Sequence, residues 1–474
     1  TLNLGLRYEW MNPFADRYDR MFNFDPATGG LVVPNSAVLQ RDISPIFPAS
    51  IKIATAQDAG FPSRGLRTAD GNNFAPRFGA AWRPFGNAQS VLRGGFGVYH
   101  TPLSSTVFEY LTQGPFRSNE TFTNRISNGV PLFQFPEPFL GVGSLGSQDI
   151  TAVQRDLFNP YTMQWNFTAE RECLSMVCRA SYIGTRSVNL LYRRNVNQPV
   201  AGAIPFSNDR RPYPQYRNVV MVSNGTSSMY HSWQVEVERK FAKGLSYQVG
   251  WTWAKQLADG NDTGDEGAVI ENAFNRRTER GDDLYLRRHR VVANFTWDLP
   301  VGRGRRWLSG AKTIPAHILG GWQLAGIALF QTGQLFNPTF TGRDPSNTNT
   351  VGGRPDRIAD GNLPSGQRAI DRWFDATAFA VPAVNAGRFG NSGVQVLEGP
   401  ATTNFDFSLA KVLRFRERGK VQLILSATDA LNHPNFALPN ANISAPNTVG
   451  RITKTQAREE AAARTLMLGT RIEF

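Results

Sequence analysis

Few side chains in this sequence could do covalent chemistry, and the two cysteines come first. Cys173 and Cys178 flank the segment 174–177, a predicted turn between two strands, and both fall in the phase that carries the apolar residues. Because opposed side chains on paired strands have neighbouring Cβ atoms, the two thiols could come within reach of a disulfide. The alternative is two incidental small residues. Without a further Cys or His nearby, the CxxxxC spacing is weak support for a metal site.

An acidic run, DGNDTGDEG at 259–267, superficially resembles a calcium-binding loop. Its early spacing fits, but such a loop needs a bidentate Glu at its last ligand position, and Ile270 occupies that position here. Glu271 follows one residue too late. A solvated acidic loop is the favoured interpretation, and the sequence predicts neither a metal nor a cofactor.

The histidines are the remaining candidates for acid–base or nucleophilic catalysis. A catalytic histidine needs a nucleophile within reach and a third group that orients its ring. None of the five lies in a recognisable setting of that kind: His100, His231, His289, His317 and His433. We therefore predict that the protein is not an enzyme.

Composition restricts the fold and the partners. No stretch approaches about 18 uninterrupted apolar residues, which excludes a helical membrane span. The mean hydropathy of −0.34 suits either a soluble protein or a transmembrane β-barrel, in which lipid-facing and lumen-facing residues alternate. The net charge of +13 has two interpretations. One is arginine scattered over loops and lumen, and the other is contact of arginine with anionic lipopolysaccharide at an outer rim. Because no basic patch is interleaved with aromatic residues, nucleic acid is not an expected partner.

Strict alternation of apolar and polar residues recurs along the chain. In the opening segment TLNLGLRYEW, the leucines, Tyr8 and Trp10 share one face, and Arg7 and Glu9 share the other. Alternation over about ten residues is what a tilted strand needs to cross a bilayer. Twelve such strands are predicted, at 1–10, 74–83, 90–100, 161–172, 177–185, 230–240, 245–254, 289–298, 320–332, 402–415, 421–433 and 464–474.

The connections between these strands alternate in length. Those after even-numbered strands are short, such as 171–176 and 241–244, whereas those after odd-numbered strands are long, such as 11–73 and 186–229. Membrane barrels carry short periplasmic turns and long external loops. The predicted fold class is therefore all-β, an antiparallel transmembrane barrel portion of about 12 strands. A soluble sandwich is the alternative.

The tryptophans give a chemical check on the predicted faces. Eight of them fall in the apolar phase, mostly towards strand ends: Trp10, Trp82, Trp165, Trp233, Trp251, Trp253, Trp297 and Trp322. Aromatic girdles of this kind mark the two interfaces of a membrane barrel. The apolar phase is therefore predicted to face lipid.

Several strand and turn motifs resemble the Oar-like barrel of TonB-dependent transporters, and they cover nearly the whole chain in order. The resemblance rests on NNFAPRFGAAWRP (72–84), VLRGGFGVYH (91–100), NPYTMQWNFTAERE (159–172), SYIGTRS (181–187), HSWQVEVERKFAKGLSYQVGWTWAKQLAD (231–259), RRHRVVANFTWDLPVGRGRR (287–306), GGWQLAGIALFQTGQLF (320–336), WFDATAFAVP (373–382), NFDFSLAKVLRF (404–415) and LNHPNFALP (431–439). The family barrel has about 22 strands closed around a plug. The resemblance thus implies that residues 1–474 are the C-terminal part of such a barrel, without its plug and N-terminal domains.

Both chain ends agree with that expectation. The C-terminal segment RTLMLGTRIEF ends on Phe474 in the apolar phase and is similar to the terminal-strand signal read by the barrel-assembly machinery. A last strand with this signal runs towards the periplasm, which implies a periplasmic C-terminus. The chain begins at Thr1 without a signal peptide, so we expect it to be truncated.

Candidate contact residues follow from the predicted faces. Lumen-phase charges are candidates for plug or solute contact, with a merely polar wall as the alternative: Arg7, Glu9, Arg77, Arg93, Glu236, Glu238, Asp298 and Arg471. Loop aromatics could stack on a sugar or a siderophore, or pack one loop against another: Tyr213, Tyr216, Trp373 and Phe374.

Function is expected to follow the family that the chain resembles. The resemblance implies an outer-membrane receptor that takes up a scarce glycan, peptide or siderophore with energy from TonB, which would act through the missing N-terminal part. Lipopolysaccharide and other outer-membrane lipid would surround it. Two alternatives remain: a passive pore, closed by pairing 1–10 with 464–474, and a surface adhesin.

Overall fold

The computed structural model describes most of the chain. The described residues are 1–62, 64–86, 89–117, 126–131, 147–260, 267–302, 305–310, 318–415, 419–456 and 463–473. Among them, no helix combines the length and the apolarity that a membrane crossing requires. Phe474, the predicted assembly signal, lies outside these residues.

One large sheet dominates the described residues. Its principal strands are β1 (Leu2–Tyr8), β2 (Phe74–Trp82), β3 (Ser90–His100), β4 (Tyr161–Cys173), β5 (Met176–Asn195), β6 (Tyr216–Ala242), β7 (Leu245–Ala258), β8 (His289–Asp298), β9 (Trp322–Gln331), β10 (Thr402–Phe415), β11 (Gly419–Thr428) and β12 (Thr465–Glu473). Each strand pairs antiparallel with the next one in sequence. The predicted all-β class, with its antiparallel order of about twelve strands, is confirmed.

The register keeps the two faces separate across the sheet. On one face, Leu4 lies opposite Phe78 and Phe78 opposite Phe96, and the series continues to Trp233 opposite Trp253. Because successive side chains of a strand point to opposite faces, one register slip would exchange the faces. Apart from a shift between Arg239 and Ala242 beside the turn 243–244, the register is continuous between the short turns and residue 187 of β5, so we call these the apolar face and the polar face.

Two of the short connections are two-residue turns. Leu174 and Ser175 join β4 to β5 with φ of 51° and 64°, and Lys243 and Gly244 join β6 to β7 with φ of 53° and 85°. Positive φ at both central residues defines a type I′ turn, whose twist matches that of the flanking strands. These turns fix the register of both hairpins.

The strands β5 and β6 differ from the prediction. They contain 20 and 27 residues, so the predicted loop 186–229 shrinks to 196–215. The register shifts around Leu190, next to Asn189 at a φ of 57°, and this β-bulge interrupts the alternation on which the prediction relied. Since about 9–11 residues suffice to cross a bilayer, this hairpin is longer than a membrane crossing requires.

The described parts of the long connections contain short helices and strands. They contain the helices α1 (Ser36–Arg41), α2 (Ala56–Ala59) and α3 (Ser105–Glu109), and the 3₁₀ helices Tyr110–Thr112, Asn208–Arg210, Arg276–Glu279, Ser365–Gln367 and Ala376–Ala378. Their short strands are Asn23–Asp25, Gly30–Val33, Ile53–Thr55, Ile126–Ser127, Val130–Pro131, Gln148–Val153, Gly281–Asp282, Leu335–Phe336, Asp356–Arg357, Phe379–Ala380 and Leu397–Glu398. Gln148–Val153 runs parallel to β6 and widens the sheet there.

The hairpin of β5 and β6 supports a cap, which we define as the described residues of 9–73 and 101–160. One apolar cluster joins Met21 and Leu111 of the cap to Leu191 and Val222 of the hairpin. A second cluster packs Phe24 against Tyr216, Val219 and Met221 of β6. A third, separate cluster joins the connection 332–401 to 429–464. The apolar residues of the long connections therefore build small cores of their own.

The large sheet ends in two edges. Within the described residues, β1 pairs only with β2 and β12 only with β11. The closure of β1 onto β12 that the passive-pore alternative requires is therefore not found in this structure.

Candidate functional site

The polar face carries a ladder of ion pairs across four adjacent strands, near the short turns. Arg93 of β3 lies 2.9 Å from Glu170 of β4, which lies 3.1 Å from Arg179 of β5. Arg179 in turn lies 2.5 Å from Glu236 of β6. This ladder brings together two of the predicted contact residues, Arg93 and Glu236. Each charge has a partner, so the ladder is a pre-ordered surface of alternating sign.

The sequence analysis missed the two central members of this ladder. Glu170 and Arg179 are directly opposite each other in the register. The sequence does contain a signal for Arg179. It lies three residues from Tyr182, a residue of the apolar face, and therefore falls on the polar face.

A shallow recess opens on the polar face of β1 to β4. It has a volume of about 350 Å³ and a floor that includes Gly5, Gly79 and Gly95. The Arg77 guanidinium lies 4.7 Å from the centre of the Tyr99 ring, and this ring covers Gly97, where a Cβ would come within 2.8 Å of the Tyr99 hydroxyl. Arg77 is thus held flat against an aromatic ring, with amide groups of neighbouring strands around it.

The remaining predicted charges also lie on the polar face, but apart from the ladder. Arg7 and Glu9 pair with each other at 2.6 Å at the end of β1, and Arg471 lies 2.9 Å from Glu473 in β12. Asp298 accepts a 2.9 Å hydrogen bond from Gln323. Glu238 lies in register with Gln248 of β7.

The predicted loop aromatics are packed between segments. Tyr216 is 0% exposed and its hydroxyl donates to the Gly29 carbonyl, while Phe374 is 2% exposed within the third cluster. The Tyr213 hydroxyl donates to the Pro26 carbonyl, and the Trp373 indole donates to the Glu398 carbonyl. Tyr216 and Phe374 therefore present no ring face to a solute, and packing of one loop against another is the use that the structure favours for them.

A buried ion-pair network joins the connections 259–288 and 332–401. Arg354, whose side chain is 9% exposed, forms two hydrogen bonds to Glu279 at 2.7 and 2.9 Å and an ion pair with Glu271 at 3.1 Å. A Cβ at Gly353, where φ is +139°, would collide with the Glu271 carboxylate. Burial raises the pKa of Glu271, and Arg354 opposes that effect. No sequence signal pointed to this network, because its members are far apart in the chain.

The two cysteines are close but not directly opposite. Cys173 pairs with Met176 across the type I′ turn, whereas Cys178 pairs with Arg171, which corrects the predicted register. Both thiols are free, and their sulfurs are 3.5 Å apart on the apolar face. The disulfide therefore stays a prediction.

We expect that a mild oxidant closes this pair in intact cells, because the sulfurs need to move little. After diamide treatment, maleimide should label neither cysteine, and reduction should restore labelling of both. Cys178→Ser provides the control, because its remaining Cys173 should label with or without oxidant. Full labelling of the unmodified protein after oxidation would contradict the prediction.

Among the described residues, no group of three or more His, Cys, Asp and Glu side chains is arranged to hold a metal ion. Residues 261–266 of the acidic run lie outside the described ranges.

Comparisons with known proteins complete the description. A protein-family model described as "Outer membrane beta barrel domain" matches residues 1–466. No curated protein sequence matches the chain.

Solved structures with a similar strand arrangement are only distantly related in sequence. They include the outer-membrane transporter YddB of Escherichia coli (11% identity, 85% of this chain, 41% of that chain, TM-score 0.45). The siderophore receptor PiuA of Acinetobacter baumannii (7%, 85%, 36%, 0.40) and the iron transporter FrpB of Neisseria meningitidis (12%, 86%, 40%, 0.37) are others. The chain therefore spans less than half the length of each of these proteins.

Proposed function

The chain belongs to the family of outer membrane β-barrel domains, and on this premise we propose that it is the C-terminal part of a TonB-dependent transporter of the Oar-like type. The apolar face contacts outer-membrane lipid and the polar face lines the lumen. The short turns lie in the periplasm, as does the C-terminus, and the cap lies outside the cell. The Oar-like motifs of the sequence support this assignment.

The observation that carries the proposal is the ion-pair ladder on the polar face. Four charged side chains from four consecutive strands are aligned at the short-turn end of the wall. Glu170 pairs with both Arg93 and Arg179, and Arg179 also pairs with Glu236. A water-filled pore needs only a polar wall, whereas an ordered surface of alternating charge suits a protein segment with complementary charges. We therefore assign the ladder to the docking of a plug supplied by the N-terminal part of the full-length protein.

The folded cap supports a role of the outer segments in capturing the solute. Loops that hold their own apolar cores are pre-organised, so the binding of a solute would cost less ordering entropy than with irregular loops. In the proposed cycle, the outer segments capture a scarce solute and the plug holds it. TonB then supplies the energy that moves the plug. No covalent chemistry is involved.

Further partners follow from the same assignment. Lipopolysaccharide would meet the arginines at the outer rim, where forked guanidinium donors suit its phosphates. The barrel-assembly machinery would read the last strand, including Phe474. The solute in this assignment is a glycan, a peptide or a siderophore.

The test is the intact mass of the native protein in purified outer membranes, detected with an antibody against the segment 333–401. We expect a band on the order of twice the 52.5 kDa of this chain, because a barrel of about 22 strands with a plug requires that length. The periplasmic domain of TonB should capture this species from detergent extracts. A band at the mass of the chain itself, with no capture, would overturn the proposal and leave a self-closed pore or an adhesin.

A further inference from the structure

Four glycines form the floor of the recess on the polar face of β1 to β4. Gly79 lies opposite Gly95, and Gly5 and Gly97 lie on either side of Arg77. A glycine inside a strand leaves a position without a side chain and often marks the close approach of a ligand or of another backbone. The recess has a volume of about 350 Å³, near the lower end of ligand pockets. It is therefore large enough for a small group of a solute or of a peptide.

Arg77 supplies the positive charge of this recess. Its guanidinium lies 4.7 Å from the centre of the Tyr99 ring, and both side chains are exposed. Within the described residues Arg77 forms no ion pair, whereas Arg93 of the ladder lies 2.9 Å from Glu170. The ring fixes the plane of the guanidinium and leaves the N–H groups at its edge free to donate. Arg77 is thus an accessible cation that is already oriented.

Three amide side chains surround this cation. Asn3, Gln164 and Asn166 line the recess and are exposed, and none of them forms a side-chain hydrogen bond within the described part of the chain. Their neighbours on the polar face of β4 are paired, because Thr162 and Thr168 each share a 2.9 Å hydrogen bond with a serine of β5. The recess therefore brings together polar groups that are free to bond with a ligand.

The charge and the donors of the recess select the class of ligand group. A guanidinium only donates hydrogen bonds, so an ammonium group cannot bond to Arg77. A neutral carbonyl or hydroxyl oxygen can accept, but it leaves the positive charge unbalanced. A carboxylate is planar, accepts two parallel N–H bonds from a guanidinium and balances its charge. A phosphate dianion would need a second cation, and Arg77 is the one charged residue that lines the recess.

We propose that this recess binds a carboxylate group. Arg77 donates two N–H bonds to the carboxylate oxygens, and the amides of Gln164 and Asn166 donate from the side of β4. The proposal rests on the proposed function, because the polar face must line the lumen for a solute or a plug to reach the recess. The carboxylate belongs to one of these two, and Arg77 recognises either by the same bonds.

The test is the modification of Arg77 by phenylglyoxal, an arginine reagent, in the native protein in detergent, followed by peptide mapping. Benzoate should protect Arg77, whereas benzamide, a neutral analogue of the same shape, should not. A site with one bidentate ion pair should have a Kd on the order of 1 mM. Benzoate at about ten times that concentration should therefore slow the modification about tenfold.

Gly79→Leu fills the recess and leaves Arg77 in the protein. A Cβ at Gly79 would meet only the Asn3 Cβ, at 3.9 Å, so the variant should fold. Arg77 should still be modified, but benzoate should no longer slow the reaction. Gly250→Leu is the matched control, because Gly250 lies on the polar face of β7 opposite Glu236 and a Cβ there meets nothing within 4 Å. This variant should keep full protection by benzoate.

Arg77→Lys identifies the source of the carboxylate. A carbodiimide joins the new amine to a neighbouring carboxylate as an amide and leaves as a urea. If a plug segment fills the recess, Arg77 of the native protein should resist phenylglyoxal without benzoate, and the variant should cross-link to that segment. If the carboxylate belongs to a solute, Arg77 should react freely until benzoate is added.

Four results would overturn the proposal: equal protection by benzoate and benzamide, an accessible Arg77 that benzoate does not protect, protection that survives in Gly79→Leu, or an inaccessible Arg77 without a cross-link. The proposed function is tested separately, by the mass of the native protein and by TonB capture. Protection by benzoate without TonB capture would leave a pore or an adhesin that binds carboxylates. TonB capture without protection or cross-link would keep the transporter and remove only this site.

Discussion

Replacing Val249 by arginine should strongly destabilise the protein in the outer membrane. Val249 lies near the middle of β7 on the apolar face, opposite Val237 and Ala293. Arginine on the lipid face near the bilayer midplane costs about 2–4 kcal/mol, a large part of the stability of an ordinary domain. Heat-modifiable gel mobility and urea unfolding in lipid vesicles measure the loss.

The neighbouring residue supplies the control for this prediction. Gln248 belongs to the polar face, opposite Glu238 and Asn294, so Gln248→Arg places the same side chain in water and near a carboxylate. Its free energy of unfolding should change by less than about 0.5 kcal/mol, as at a permissive surface site. Equal losses in the two variants would show that the assignment of the faces is wrong.

Replacing Arg354 by methionine is expected to open the junction between the connections 259–288 and 332–401. The substitution leaves Glu271 and Glu279 buried without their cation. Removing one partner of a buried ion pair destabilises by about 3–5 kcal/mol. Since the junction lies outside the strands, the loss should be local and should appear as faster hydrogen exchange of the backbone amides of Ala273 and of residue 354, with β7 and β9 unchanged.

The same variant should recover part of its stability as the pH falls. Burial raises the pKa of Glu271, and removing Arg354 also removes the influence that lowers it. A carboxyl group whose pKa is higher in the folded than in the unfolded state takes up a proton on folding, so its contribution favours folding as the pH decreases. Protection of the junction in Arg354→Met should therefore be weakest at neutral pH and stronger in mild acid.

Arg388→Met is the comparison for this effect. Arg388 pairs with Asp356 in the same connection, but its side chain is more than half exposed. Exposed ion pairs contribute about 0–1 kcal/mol, so exchange at the junction should hardly change. If Arg354→Met behaves like Arg388→Met, the network does not hold the two connections together.

The strands could be predicted because their chemistry is local. A lipid-facing position must be apolar and its neighbours need not be, so alternation marks each crossing directly in the sequence. β1 follows this rule along its whole length, and β7 follows it from Leu245 to Trp253. β5 and β6 follow it only to the bulge beside Leu190, where an extra residue exchanges the faces, so the sequence pattern ended there although the strands continue.

The candidate site could be predicted only in part, for a related reason. The face of Arg93 and Glu236 follows from alternation, but their partners depend on the register between strands. The network of Arg354 depends on the folding of two connections that have no periodic pattern. Pairing between distant segments without a periodic pattern leaves no local signature, so this network could not be read from the sequence.

The hairpin of β5 and β6 also imposes an order on assembly. The cap clusters join Met21 and Phe24 to Leu191 and Tyr216, which lie far along the chain. Contacts between distant segments form slowly, because closing a long loop costs entropy. The cap clusters therefore cannot form until the hairpin of β5 and β6 has folded. Until then, the apolar residues of the connections 9–73 and 101–160 remain exposed to solvent. Substitutions that slow the appearance of this hairpin should therefore prolong the interval in which a surface protease can cleave the cap.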